Sequence, residues 1–335
     1  MLKKILKVLL ALVALLVVVV VTMIVYASAT HGSRTQFPDT PYPSMTASTD
    51  PELIERGRYL VHGPAHCSQC HSTTEREHPE KIKTSPLSGG LEFPMGPIAT
   101  TWSANLTSDP ETGLGKRTDA ELARAIRSGV LHDGTYSLFM ASSAAMPSDQ
   151  DVAAILSYLR SLPPVRNEVP KGAWALGGKV MLMMIDVGPN TTPPATHVAA
   201  SPEPTVERGE YLAESVMLCT GCHSQFSMKT FKPVGPKAGG GTPEPSHGAD
   251  SDMEFVTPNL TSDPTGVTGK LDENAFVARI LHGRVHAGSI MPWENFQDTT
   301  ETDLRSVYRY LRTLPPVQND VGPSYRKVGW KPGDS

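Results

Sequence analysis

Cys67-Ser68-Gln69-Cys70-His71 recurs as Cys219-Thr220-Gly221-Cys222-His223, and the two copies use all four cysteines of the 335-residue chain. In the pattern C-x-x-C-H the paired thiols are spaced to add across the two vinyl groups of a haem, and the adjacent imidazole is then held against one face of the iron. A thioredoxin-type dithiol and half of a zinc site use the same C-x-x-C spacing. Neither requires the trailing histidine twice, and the segments downstream supply thioethers instead of further thiolates. The reading is two covalent haems. Cys67 and Cys70 attach one, Cys219 and Cys222 the other, and His71 and His223 are the proximal iron ligands.

Outward from the two motifs, three further blocks recur in one order. Glu55-Arg56-Gly57-Arg58-Tyr59-Leu60 matches Glu207-Arg208-Gly209-Glu210-Tyr211-Leu212, and each glycine stands ten residues before the first cysteine of its motif. Asn105-Leu106-Thr107-Ser108-Asp109-Pro110 matches Asn259-Leu260-Thr261-Ser262-Asp263-Pro264. Tyr158-Leu159-Arg160-Ser161-Leu162-Pro163-Pro164-Val165 matches Tyr310-Leu311-Arg312-Thr313-Leu314-Pro315-Pro316-Val317. Ordered repetition on this scale reads as a duplicated domain, residues 50–166 and 203–318, with a linker at 167–202 and a C-terminal tail at 319–335. Within each unit Asp50-Pro51 and Pro204-Thr205 open a first helix. Ser148 with Asp151, and Thr300 with Asp303, open a last helix whose apolar face is Val152, Ile155, Leu159 and Leu162 in one unit and Leu304, Val307, Leu311 and Leu314 in the other. Double prolines end both. Gly57 and Gly209 would permit close approach where first and last helices cross.

The second axial ligand decides what an iron held this way can do. A thioether opposite imidazole raises the potential, a second imidazole lowers it, and an open position admits peroxide or gases. Met291-Pro292 lies twelve residues before Asp303, with no other methionine between them, and is assigned to the second haem. The first unit offers Met140 and Met146. Met140, eleven residues before Asp151, nearly coincides with Met291 in the repeat and is preferred. His132 and His286 match between the units as alternative ligands, although propionate bonding or surface exposure suits them as well. Met181, Met183 and Met184 are expected to pack an apolar stretch of the linker between the domains. Asn105 and Asn259 are expected to hydrogen-bond within the haem loops.

Lys3, Lys4 and Lys7 precede the uncharged run Val8–Val25, long enough to span a bilayer. The positive-inside rule keeps those lysines in the cytoplasm, so the chain beyond Tyr26 lies on the periplasmic side of the inner membrane. Residues 1–30 read as a membrane anchor, with Ala27-Ser28-Ala29 leaving a cleaved signal peptide as the alternative, and 31–49 as a stalk rich in Pro, Ser and Thr. A net charge of -4 with no basic run after the anchor excludes nucleic acid as an expected partner.

The succession C-x-x-C-H, Asn-Leu-Thr-x-Asp-Pro, Met-Pro and Asp-x-x-x-x-x-x-Tyr-Leu-x-x-Leu-Pro-Pro-Val resembles the class I cytochrome c domains in the multihaem cytochrome subunits of membrane alcohol and gluconate dehydrogenases. The resemblance implies an all-α fold: two tandem class I cytochrome c-like domains after an N-terminal transmembrane helix. It implies two haem c groups with His71/Met140 and His223/Met291 ligation. It also implies electron transfer from a dehydrogenase or quinol-oxidising complex to a terminal oxidase or small cytochrome, and no catalytic residues. Those subunits carry three such domains and this chain two. Two local departures stand out: Ala141 follows Met140 where the pattern has Pro, and Leu281 and His282 stand near the place of Arg127, a candidate propionate contact. A dihaem peroxidase with one open iron is the alternative function.

Overall fold

The computed structural model describes residues 2–72, 79–143, 147–185, 187–227, 232–246 and 252–331. Helix α1 (Leu2–Thr35) carries the run Val8–Val25 with no glycine, proline or charge to interrupt it, and among the described residues it is the one helix long and apolar enough to cross a membrane. It does not end into a free stalk. Phe37 N donates to Gly134 O at 2.8 Å, Ala47 N to Asp119 Oδ2 at 2.7 Å and Ser48 N to Ser157 Oγ at 2.8 Å, so the stretch after α1 is laid along the first half of the molecule.

The first half contains α2 (Pro51–His62), α3 (Ser68–His71), α4 (Asp119–Ser128), α5 (Leu138–Ser143) and α6 (Asp149–Ser161); α7 (Leu176–Met181) follows. The second half contains α8 (Val206–Tyr211), which runs into a π-helical turn at Leu212–Val216, then α9 (Cys219–Cys222), α10 (Val267–Lys270), α11 (Glu273–His282), α12 (Trp293–Phe296) and α13 (Glu301–Thr313). The helix starts follow their caps. Asp50 accepts from Glu52 N, Thr205 from Arg208 N, Ser148 from Asp151 N and Thr300 from Asp303 N.

In each half the first helix packs on the last, α2 on α6 and α8 on α13. A Cβ at Gly57 would collide with the carbonyl of Ala154, and one at Gly209 with that of Ser306, so the two expected close approaches are both present. On the last helices the faces the periodicity marks are buried, Ile155 and Leu159 together with Leu60 and Val61, and Leu304, Val307, Leu311 and Leu314 together with Leu212, Ala213 and Val216. These side chains belong to one continuous cluster across the two halves.

The fold is mostly helical, not all-α as expected. β1 (Glu92–Pro94), β2 (Ala99–Trp102) and β3 (Ala173–Trp174) form an antiparallel sheet in the order β1-β2-β3. β4 (Gln225–Ser227) pairs with β5 (Lys232–Val234), and β6 (Pro243–Pro245), β7 (Met253–Val256) and β8 (Tyr325–Lys327) make a second three-stranded sheet. Most of these strands lie in the long loops between the cysteine motifs and the Asn-Leu-Thr blocks, where β-branched and aromatic residues such as Phe93, Thr101 and Phe255 favour extended pairing. Runs of two to four residues carry too few alternations for a period of two to register. The methionines after α7 also depart from expectation. α7 packs on α1, with Leu182 and Ile185 buried and Met184 in the open, so this segment lines α1 and not a seam between the halves.

Candidate haem-binding sites

Both cysteine motifs are built the same way from the backbone up. The residue before the first cysteine, His66 in one half and Leu218 in the other, takes a left-handed conformation (φ +42° and +57°) between the preceding helix and the motif. One helical turn follows, with His71 N bonded to Cys67 O at 3.0 Å and His223 N to Cys219 O at 2.9 Å. That turn sets both thiols and the imidazole along one short helix.

The imidazoles are then oriented identically. His71 Nδ1 donates to Ala104 O at 2.8 Å and His223 Nδ1 to Pro258 O at 2.9 Å. A carbonyl can only accept, so each bond places the proton on Nδ1 and leaves the Nε2 lone pair for a metal. Burial lowers the pKa of both rings, with the carbonyl bond opposing it, and keeps them neutral and able to ligate. Burial likewise pushes the Cys67 and Cys219 thiols up to about 12.

The accepting carbonyls precede the repeated asparagines, and those asparagines lock the loop. Asn105 Oδ1 accepts from Thr107 N and Oγ1 while Nδ2 donates to Val165 O at 2.8 Å; Asn259 does the same with Thr261 and with Val317 O at 2.6 Å. The loop residues Gly89 and Gly240 close the ring from the other side, their N–H groups bonded to His71 O at 2.8 Å and His223 O at 2.7 Å. Both have positive φ, and a Cβ on either would strike the backbone that carries the accepting carbonyl. Asn167 and Asn319 then bond Ser88 O and Gly239 O, at 2.9 and 2.8 Å. The two glycines stand at spacings from their histidines that differ by one residue, which breaks the repeat there, whereas Asn167 and Asn319 each follow the last repeated block by two residues.

Met291 sits on the same apolar cluster as Cys219. Its loop is fastened by Arg284, which reaches Ser289 O and Met291 O and pairs with Glu294 at 2.7 Å, both side chains largely buried. Met140 lies half-buried on α5, its N–H on Ser137 Oγ at 3.3 Å. Met146 falls outside the described residues. His286 stacks on Tyr325 with ring centroids 4.2 Å apart, which ties up its face in aromatic packing. Arg127 bonds Pro147 O and Asp149, and its Nε is buried without a partner, as is Gln69 Oε1 inside the first motif. Among the described residues no three His, Cys, Asp or Glu side chains gather as a metal site. The donors present, two thiols, an oriented imidazole and a thioether per half, together with those orphaned polar atoms, fit a covalent haem.

Side chains from both halves join the two sites. Arg56 grips Asp151 through two bonds of 2.9 Å, and Arg208 grips Asp303 at 2.9 and 3.0 Å. Each aspartate also accepts from a tyrosine of the opposite half: Tyr211 Oη to Asp151 at 2.6 Å and Tyr59 Oη to Asp303 at 2.7 Å. Asn295, four residues after Met291, donates at 2.7 Å to both His62 O and Ser68 Oγ of the first motif, while Phe296 meets the His66 ring edge-on at 5.7 Å. His62 closes α2 and bonds Tyr158 Oη at 2.8 Å.

No protein-family model matches the chain. Among curated proteins it is 30% identical over 283 residues to the cytochrome c subunit of a quinone alcohol dehydrogenase from Gluconobacter oxydans, covering 80% of this chain and 56% of the relative. It is 26% identical over 275 residues to the gluconate 2-dehydrogenase cytochrome c subunit of Pantoea cypripedii, covering 78% and 59%. Its homologues are cytochrome c subunits. A diheme c-type cytochrome from Cereibacter sphaeroides aligns over 296 residues at 27% identity, covering 81% of this chain and 91% of the relative. The chain spans under two thirds of the length of the dehydrogenase cytochrome c subunits and nearly all of the diheme one.

Proposed function

We propose that the chain is a membrane-anchored dihaem cytochrome c that relays electrons from a dehydrogenase or quinol-oxidising partner to a terminal oxidase or small cytochrome. The reading places one haem c in each of two tandem class I domains, residues 50–166 and 203–318, with His71/Met140 and His223/Met291 as axial ligands. α1 holds both on the periplasmic side of the inner membrane, its Lys3, Lys4 and Lys7 inside. The observation that carries it is the paired imidazole geometry: two histidines next to C-x-x-C, each with Nδ1 on the carbonyl before a repeated asparagine and Nε2 left open.

A haem held in this way supplies a one-electron couple and, with both axial positions filled, no site for a substrate. The chain's own contribution is to hold that couple still. The Nδ1–H bonds fix the ring tautomer and raise the basicity of Nε2. The Asn105 and Asn259 networks keep the accepting carbonyls in place, and the loop glycines let the backbone close over each histidine. Arg284 and Glu294 keep the Met291 loop from drifting away. Asn295 joins that loop to the first motif, so the two sites keep a constant separation.

The test is spectroscopic, on the full holo-protein. The oxidised form should show the long-wavelength absorption of methionine-to-iron ligation at an intensity matching two haems, and the reduced form should bind no carbon monoxide. Carbon monoxide binding at one haem of the unmutated protein would favour the peroxidase-like alternative.

A further inference from the structure

One face of α1 is covered well below the point where the helix leaves its apolar run. Val20 and Met23 are 39% and 38% exposed against 55% and 61% for Val19 and Val25, and Ala27 is fully buried. These positions recur at three- and four-residue spacing, a single stripe. The helix packed on the upper part of α1 is α7. Arg34 Nη1 donates to Leu182 O at 3.1 Å, and Lys179 lies within electrostatic reach of His31. Both pairs are 148 residues apart, so α7 runs alongside α1 in the same direction and its first residues, Ala175 and Leu176, stand beside Ala27 and Ser28.

The start of α7 brings the β1–β2 turn with it. Ala175 N bonds Ile98 O at 2.9 Å, and the backbones of Gly177 and Gly178 lie so close to Pro97 and Ile98 that a Cβ on either would meet their carbonyls. The turn at 95–98 and the first turn of α7 are therefore one surface. It is apolar: Phe93–Trp102 contains no charged residue and Ala173–Ile185 only Lys179. Leu176 on it is 47% exposed, and Gly96 and Pro97 are exposed as well.

At 1.5 Å per residue, the α1 turn from Ala27 to His31 lies within about 10 Å of the end of the Val8–Val25 run, overlapping the polar layer of about 5–7 Å that flanks a bilayer core. We propose that the 95–98 turn and the first turn of α7 rest in the lipid headgroup layer beside α1, with Lys179 at its outer edge. The proposal rests on α1 being a membrane anchor. It commits to lipid because the surface is continuous with that helix, apolar where it faces the bilayer and basic just above it. The first half is then docked on the bilayer and not tethered to it. Phe93 packs on Phe139 at 4.9 Å, which links the hairpin directly to α5 and Met140 and makes the first half the membrane-side one.

The experiment places single nitroxide labels on the full holo-protein in nanodiscs of phosphatidylcholine and phosphatidylglycerol. Haem attachment consumes the native cysteines, so Leu176→Cys, Leu16→Cys and Val328→Cys each carry one reactive thiol. Collisional relaxation by oxygen and by a water-soluble nickel chelate is compared with the haems reduced. The proposal expects Leu16 to be oxygen-accessible and nickel-protected, Val328 to be nickel-accessible, and Leu176 to show several-fold less nickel relaxation than Val328 with raised oxygen relaxation. A Leu176 label as nickel-accessible as Val328, with Leu16 still protected, overturns the proposal and leaves the anchor standing. A Leu176 label shielded from both agents means a protein contact and overturns it too. Nickel access at Leu16 removes the anchor and the proposal together.

Discussion

The two halves place the same donors with different supports. In the second, the Met291 loop is fastened by a buried Arg284–Glu294 pair whose arginine also bonds Ser289 O and Met291 O. In the first, Met140 sits on the short helix α5, held through its N–H by Ser137, and Arg127 is spent downstream on Pro147 O and Asp149. The histidine sides are nearly superimposable in their bonding, Ala104 answering to Pro258 and Gly89 to Gly240. The histidine side is thus alike in the two halves, and the methionine side differs. The second methionine is braced by a buried ion pair, and the first by the Ser137 hydroxyl and the packing of α5.

The sharpest way to break this comparison is to remove one cofactor. Cys219→Ala with Cys222→Ala should leave one haem per chain and a protease-sensitive second half, because the proposed haem would complete the core on which α8 and α13 pack. Because the core cluster crosses both halves, the first should lose stability too while keeping its haem. A compact, haem-free second half on limited proteolysis would contradict this.

Next in size are the methionines. Met291→His should keep the iron low-spin and lower its potential by a large step within the roughly 0.8 V that axial ligands span. An unchanged redox titration would show that Met291 is no ligand. Met140→Ala should give a high-spin component and carbon monoxide binding. Met146→Ala, if that side chain is buried, should cost only packing, on the order of 2 kcal/mol. If the two mutants exchange phenotypes, Met146 ligates the first haem.

What could be read from the sequence follows a physical line. Caps, apolar stripes and helix-crossing glycines are local and periodic, so Ser148, Thr300, Gly57 and Gly209 were legible, as was the bonding role of Asn105 and Asn259. The short strands were not, because three residues do not make a period. The partners of Asp151 and Asp303 were not legible either. Both are acids at the third position of a helix, which the local rule reads as part of a cap, yet each lies buried between an arginine of its own half and a tyrosine of the other. Such a contact depends on how the two halves dock, which no local spacing encodes.

That exchange gives the smaller predictions. Tyr59→Phe and Tyr211→Phe should each destabilise the protein by about 1–2 kcal/mol, since each leaves a buried carboxylate short of a donor. The double mutant should separate the unfolding of the halves in calorimetry, and a single sharp transition would argue that the apolar seam alone couples them. Burial would raise the Asp151 pKa, but the Arg56 guanidinium and the Tyr211 hydroxyl outweigh it and the carboxyl lies below its ordinary range. The stability this contributes is present above the ordinary carboxylate pKa of about 4 and is lost as pH falls through the lower folded value. Asp151→Asn should therefore lower the thermal midpoint at neutral pH and flatten its decline below about pH 4. An unchanged acid limb would show that Asp151 contributes nothing to it.

The central claim is one covalent haem in each half, and mass spectrometry of the intact holo-chain followed by peptide mapping tests it most directly. The account predicts two haem masses on the chain, one on the peptide with Cys67 and Cys70 and one on the peptide with Cys219 and Cys222, and no cysteine open to alkylation. A single haem, or a motif whose two thiols alkylate in the folded, membrane-bound protein, would contradict it.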